Sequence, residues 1–230
     1  KGNRKELYAM LNNLEKTPLR PYWYLSVLFI ALGVYGSLSG VLPLTWIWFI
    51  VGGALAIVTQ FNFETLKVSM GKMEKGSWKI IFWSIILTFI TSFATMALGN
   101  LLFHTGFVEN SNAVHTGPIL ARIQHLVLLS ISLIGEELIT ASVAFPLYHL
   151  LAKKMSSKQA WIIAGLISAI LFGLMHLKIY HGNLYQCIVV IGLTRLPFNY
   201  AWRKTNSLWG GIIGHIIYDL VIFIPAMFIV

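Results

Sequence analysis

Ile134-Gly135-Glu136-Glu137-Leu138-Ile139-Thr140-Ala141 lies inside an apolar run from Ile119 to Leu151. The chain holds only eight acidic residues, so two in succession within such a run require a cause. A charge held at mid-membrane costs roughly 2.5–3.5 kcal/mol on insertion scales. Acids in that position face a bundle interior or a wet cavity and pair with another group. The run is also too long for one perpendicular span, so it must tilt, break or extend past the bilayer.

Two further apolar runs carry ionisable groups. Phe172-Gly173-Leu174-Met175-His176 closes one, and His215-Ile216-Ile217-Tyr218-Asp219 lies within the last. Phe172 and His176 are four residues apart, as are His215 and Asp219, so each pair shares a helix face. Glu136, Glu137, His176, His215 and Asp219 thus sit on three apolar segments. Their common need for polar partners in lipid predicts one polar pocket inside a membrane bundle.

The rest of the composition agrees with a bundle. The chain has 230 residues, 57% hydrophobic and 11% charged, with a mean hydropathy of +0.74. These values exclude an ordinary soluble domain and predict an all-α, polytopic transmembrane helix bundle. About seven spans fit: Tyr22–Leu38, Leu44–Gln60, Ile80–Phe103, Ile119–Leu151, Ala160–His176, Leu184–Trp202, and Leu208 to the end. They form a single domain over 21–230, without internal repeat. Residues 1–20 read as an amphipathic segment on the inner leaflet or as a solvated tail. Leu7, Met10, Leu11 and Leu14 recur there at helical spacing. No apolar core precedes a cleavage site in this segment, so no signal peptide is read there. The Trp and Tyr residues at span ends read as interfacial anchors.

The net charge of +9 raises the question of nucleic acid, and its distribution answers it. With the N-terminus in the cytoplasm, 14 of the 17 Lys and Arg residues fall in cytoplasmic segments; Arg122, Lys178 and Arg195 are the exceptions. That is a positive-inside pattern, so the expected partner of the charge is a lipid bilayer and no nucleic acid. Cys187 is the sole cysteine and reads as a buried apolar residue. His104, His115, His125, His149 and His181 read as loop or interface residues. Gly33, Gly36 and Gly40, like Gly210, Gly211 and Gly214, read as close-packing positions.

Carboxylates beside histidines support two kinds of hydrolysis. A glutamate can act as general base on a water, with histidine as acid or electrophile. Alternatively, glutamate and histidine hold a divalent metal such as zinc, whose bound water is the nucleophile. Glu136, His176 and His215 would be the metal ligands in that case. The helical H-E-x-x-H spacing of soluble zinc proteases is absent, so no cofactor is fixed by spacing.

Glu136-Glu137, then Phe172-x-x-x-His176, then His215-x-x-x-Asp219, in this order on hydrophobic segments, resembles the CAAX-protease and bacteriocin-processing family of intramembrane proteases. Thr205-Asn206-Ser207-Leu208-Trp209 is similar to the family's stretch before its last motif. The resemblance covers roughly 119–230. It implies an intramembrane endopeptidase acting on peptides or membrane-associated proteins in a bacterial plasma membrane. It assigns Glu136 or Glu137 to water activation and His176 to positioning that water or a metal. His215 and Asp219 complete the site or stabilise the oxyanion.

The family pattern continues Glu-Glu-x-x-x-Arg, and the Arg position here is Ala141. A buried carboxylate without that partner must find another. Arg195 and Arg122 are the available cations, although Arg195 also reads as a snorkelling residue. The departure raises an alternative: a catalytically impaired member acting as a membrane scaffold or regulator of a partner such as a cell-envelope enzyme or sensor kinase. That partner would be held through small-residue surfaces such as Gly33 and Gly36. A proton-coupled transporter fits less well, because the acids occur once, without a repeat.

Overall fold

The computed structural model describes residues 9–104, 106–110 and 117–228. Among the described residues there are helices and no strands. In order, the helices are α1 (Ala9–Lys16), α2 (Ser26–Leu38), α3 (Thr45–Gln60), α4 (Phe63–Ser69), α5 (Ser77–Phe103), α6 (Ile119–Leu151), α7 (Ser157–Met175), α8 (Gly192–Thr194), α9 (Leu196–Thr205) and α10 (Trp209–Ala226).

Three of them, α5, α6 and α7, are long and apolar enough to cross a membrane. Their 27, 33 and 19 residues correspond to roughly 40, 50 and 28 Å at 1.5 Å per residue. Shorter apolar helices cover Trp23–Leu38, Thr45–Gln60 and Trp209–Pro225. Large side chains such as Phe82, Trp83, Phe93 and Leu101 on α5 are exposed. An apolar face of that extent matches lipid rather than water.

The expected continuous helix over 184–202 is broken. A π-helical turn runs over Tyr185–Ile191, α8 follows for three residues, and the helix restarts at Leu196 with Pro197 in its first turn. Proline lacks an N–H and is favoured where a helix begins, as Pro197 is here, although Pro146 lies within α6. Arg195 stands at this break, ending α8 and preceding α9.

α6 runs through the centre and approaches α3 closely. A Cβ on Gly135 would lie 2.5 Å from Phe49 Cβ and 2.5 Å from Ile50 N. Gly33 and Gly36 do not face lipid as the scaffold reading required. A Cβ on Gly36 would lie 2.4 Å from the Trp48 ring, and one on Gly33 would lie 3.2 Å from Gly52 Cα. Both belong to the α2–α3 contact inside the bundle.

α1 is docked on the bundle rather than spread on a bilayer or solvated. Met10, Leu11 and Leu14 are buried. The Met10 amide donates to Asn206 Oδ1 at 2.9 Å, and His149 Nδ1 donates to the Leu14 carbonyl at 2.7 Å. His149, expected in a loop or interface, is therefore a buried tie between α6 and α1. The Tyr148 hydroxyl bonds Glu15. Leu7 and His115 lie outside the described residues. Before α10, the Thr205–Trp209 stretch is a clamp: Leu208 N donates to Ser69 O at 2.8 Å and Ser207 Oγ to Gly71 O at 2.6 Å.

Candidate active site

The two adjacent carboxylates have different surroundings. Glu137 has no solvent exposure. Its Oε1 accepts from Arg195 Nη1 at 2.6 Å and from His215 Nδ1 at 2.8 Å, and its Oε2 accepts from Trp202 Nε1 at 2.8 Å. Both oxygens accept from donors distant in sequence: Arg195 and Trp202, at the start of α9 and within it, and His215 on α10. α10 can come this close because position 211 is glycine. A Cβ there would sit 2.3 Å from Trp202 Nε1 and 2.8 Å from Glu137 Oε2.

Arg195 does not snorkel: its exposure is 1%. Its guanidinium lies between Phe172, 4.4 Å from that ring's centroid, and Trp202, at 5.1 Å. Such stacking holds a planar cation in one orientation. Nη1 is committed to Glu137, whereas Nε and Nη2 are buried without a hydrogen-bond partner among the described residues. Ala141 is wholly buried in the apolar core. The cation for the glutamate pair therefore comes from the broken segment across the bundle, not from the next turn of α6. Arg122 is used elsewhere, donating to the carbonyls of Gly117 and Met227.

Glu136 faces the other way. It lines a cavity of about 130 Å³ together with His176, Arg195, His215, Asp219 and Phe172. His176 caps the end of α7, and its Nδ1 lies 2.9 Å from the Phe172 carbonyl. A carbonyl only accepts, so Nδ1 carries the proton. In the neutral ring Nε2 is then an acceptor. His215 is held at Nδ1 by Glu137, with Nε2 3.9 Å from Asp219 Oδ1, and its ring stacks on Phe198 at 5.1 Å. The rings of Phe172 and His215 are 6.0 Å apart. The structure thus brings Glu136, His176, His215 and Asp219 to one cavity and sets Glu137 behind it.

Several residues of the site were not singled out by the motifs. Trp202, classed by position with the interfacial anchors, has no exposure and donates to Glu137. Asn110, Tyr180 and Tyr218 line the cavity itself, with Asn110 Nδ2 donating to the Tyr180 hydroxyl at 3.2 Å. Tyr218 lies inside the His215–Asp219 pair and was open to notice; Asn110 sits in a loop and was not.

Among the described residues, no three His, Cys, Asp or Glu side chains are grouped so as to hold a metal ion. Glu136, His176 and His215 line one cavity, and His215 Nδ1 is bonded to Glu137.

A second cavity, of about 370 Å³, meets the first at Glu136 and Leu129. α6 contributes His125, Leu128, Leu129, Ser132 and Glu136 to its wall, and Lys178 lies opposite.

Residues 118–221 match the family described as type II CAAX prenyl endopeptidase Rce1-like. The chain is also similar to a protein of Bacillus subtilis (strain 168) provisionally named membrane peptidase YdiL. The two are 28% identical over 152 residues, 64% of this chain and 57% of that relative. The chain thus spans a little over half the length of that relative. No solved structure matches it significantly.

Proposed function

We propose, from a chain whose residues 118–221 are Rce1-like, that this protein is an intramembrane endopeptidase in which Glu136 activates the hydrolytic water. Its substrates are peptides or membrane-associated proteins. Its place is the bacterial plasma membrane, with the basic segments on the cytoplasmic side.

The observation that carries this proposal is the division between the two glutamates. Glu137 is held by three donors and fully buried outside the cavity lining, so it presents no oxygen to a substrate. Glu136 borders the cavity and is the carboxylate open to a water there. Its oxygen takes a proton as the water's oxygen bonds to the peptide carbonyl carbon. His176 Nε2, as an acceptor, holds the same water. The carbonyl oxygen then carries the developing negative charge. Arg195 lines the cavity, and its Nε and Nη2 nitrogens are buried without hydrogen-bond partners among the described residues, which suits the guanidinium to receive that charge. The proton passes from Glu136 to the amide nitrogen as the C–N bond breaks, leaving a carboxylic acid and an amine.

Ala141 no longer favours the scaffold alternative. The position lacks the motif arginine, yet Glu137 has a guanidinium at 2.6 Å. The test is hydrolysis of quenched fluorescent, alkylated peptides by the chain in proteoliposomes. Glu136→Gln and His176→Ala are each expected to lower the rate about 100-fold or more, with unchanged thermal unfolding. Full activity in Glu136→Gln would overturn the assignment.

A further inference from the structure

His176 stands at the C-cap of α7, just past its last residue, Met175. The chain keeps helical spacing for one more turn, because Tyr180 N donates to the His176 carbonyl at 3.0 Å. Phe172, His176 and Tyr180 therefore follow one another at intervals of four along one face. Their rings are in register. The centroids of Phe172 and His176 are 4.6 Å apart at an interplanar angle of 48°, and those of His176 and Tyr180 are 6.2 Å apart at 24°. The imidazole is thus flanked by Phe172 on the turn before and Tyr180 on the turn after.

Tyr180 is itself held from outside α7. It is buried, and its hydroxyl accepts from Asn110 Nδ2. Asn110 belongs to the stretch 106–110, which is fastened at two earlier points. Asn183 Nδ2 donates to the Gly106 carbonyl at 2.9 Å. Val108 N donates to Gln186 Oε1 at 2.8 Å, and Gln186 Nε2 donates to the Val108 carbonyl at 2.7 Å. The engaged residues, Gly106, Val108 and Asn110, alternate as in an extended chain. These ties keep Asn110 on the Tyr180 hydroxyl, and that bond keeps the Tyr180 ring against His176.

We propose that Tyr180 is a positioning residue: it holds the His176 imidazole with Nε2 toward the cavity, and Asn110 holds Tyr180. The inference rests on the peptidase function proposed above, in which Nε2 holds the hydrolytic water. An imidazole free to turn about its Cβ–Cγ bond presents carbon in place of Nε2 for part of the time and loses that water. Misplacement of about 1 Å in a site costs up to about 100-fold in rate, so a loosened ring lowers kcat. Substrate affinity is spared, because Tyr180 acts through His176 and not on the peptide.

Three variants separate the ring from its tie. Tyr180→Leu removes the flanking ring, Tyr180→Phe keeps the ring and loses the bond to Asn110, and Asn110→Ala loses that bond from the other side. With the quenched peptides in proteoliposomes, Tyr180→Leu is expected to lower kcat about tenfold or more and to leave KM within about twofold. Tyr180→Phe and Asn110→Ala should each lower kcat about fivefold. Their combination should lower it no further, since both remove one bond. The second readout is the nitrogen NMR spectrum of isotope-labelled histidines in micelles, with the His176 signals identified by their loss in His176→Gln. The wild-type chain should show a protonated Nδ1 and a bare Nε2, and Tyr180→Leu should show both tautomers. If Tyr180→Leu does not fold, Asn110→Ala carries both readouts. Wild-type kcat in Tyr180→Leu, a rise in KM alone, or additive losses from the two tie variants would overturn the role. So would a lower kcat with an unchanged His176 spectrum, which marks a merely structural effect. Hydrolysis by the wild-type chain with a single tautomer kept in Tyr180→Leu sinks the positioning and leaves the peptidase standing. A spectrum that loosens in Tyr180→Leu, in a chain that hydrolyses no peptide, does the reverse.

Discussion

Replacing Arg195 with methionine should destabilise the protein through Glu137, and replacing Glu137 as well should restore most of the loss. Arg195 and Glu137 are 1% and 0% exposed and bonded at 2.6 Å. Removing one member of such a pair leaves a buried charge uncompensated, at a cost of about 3–5 kcal/mol. Trp202 and His215 still donate to Glu137, which places Arg195→Met near the lower end. At about 2–4 °C per kcal/mol for a chain of this size, the midpoint should fall by about 6–12 °C. Glu137→Gln alone strands the guanidinium and should cost a similar amount. In Arg195→Met/Glu137→Gln neither charge remains, so the double variant should be more stable than the two single losses added together. Methionine keeps much of the stem that packs on Phe172 and Trp202, which separates charge from volume. Thermal unfolding in micelles, followed by tryptophan fluorescence, gives the cycle. Additive losses would refute the claim that the two charges depend on each other.

Gly211→Ala should lower the unfolding midpoint by an amount corresponding to about 1–3 kcal/mol, because its Cβ meets Trp202 and Glu137; an unchanged midpoint and emission spectrum would contradict the close approach. His149→Ala with Asn206→Ala should release α1, which those side chains hold at Leu14 and Met10. Protease cutting near residues 9–16 should then rise while the rest of the chain stays intact; unaltered cutting would show that apolar packing alone seats the helix. Lys154→Cys and Val41→Cys, both exposed positions, should react with an impermeant maleimide from opposite sides of the membrane. Cys187, buried, should give little background, and labelling from the same side would reject the proposed orientation.

Most of the helices were legible because lipid forces a single rule on the backbone: polar groups must be satisfied within the segment. Apolar run lengths therefore marked α3, α5, α6, α7 and α10 to within a few residues. The break over 184–202 was harder, although both of its causes are in the sequence. Pro197 is better suited to the start of a helix than to its interior, and Arg195 needs a buried acid to justify its position. Composition reports how apolar a segment is and not how its backbone turns. The docking of α1 was illegible for a related reason. Met10, Leu11 and Leu14 show that one face is apolar, but not whether lipid or protein covers it. Tertiary partners such as Asn206, 196 positions away from Met10, decide that.

The glutamate pair shows how far local geometry alone can go. Adjacent residues on an α-helix point about 100° apart, so Glu136 and Glu137 meet different surroundings even where they share neighbours. A sequence that sets two acids side by side in a membrane helix already requires two environments for them. It does not state which acid takes which. That is settled by residues 58, 65 and 78 positions away, the separations of Arg195, Trp202 and His215 from Glu137. Three donors on one carboxylate leave its neighbour on the cavity side. The missing arginine at Ala141 follows the same logic. A buried carboxylate needs a cation within reach, and the fold can bring one from another segment. Loss of a motif residue therefore says little about a site until the space around the remaining charge has been accounted for.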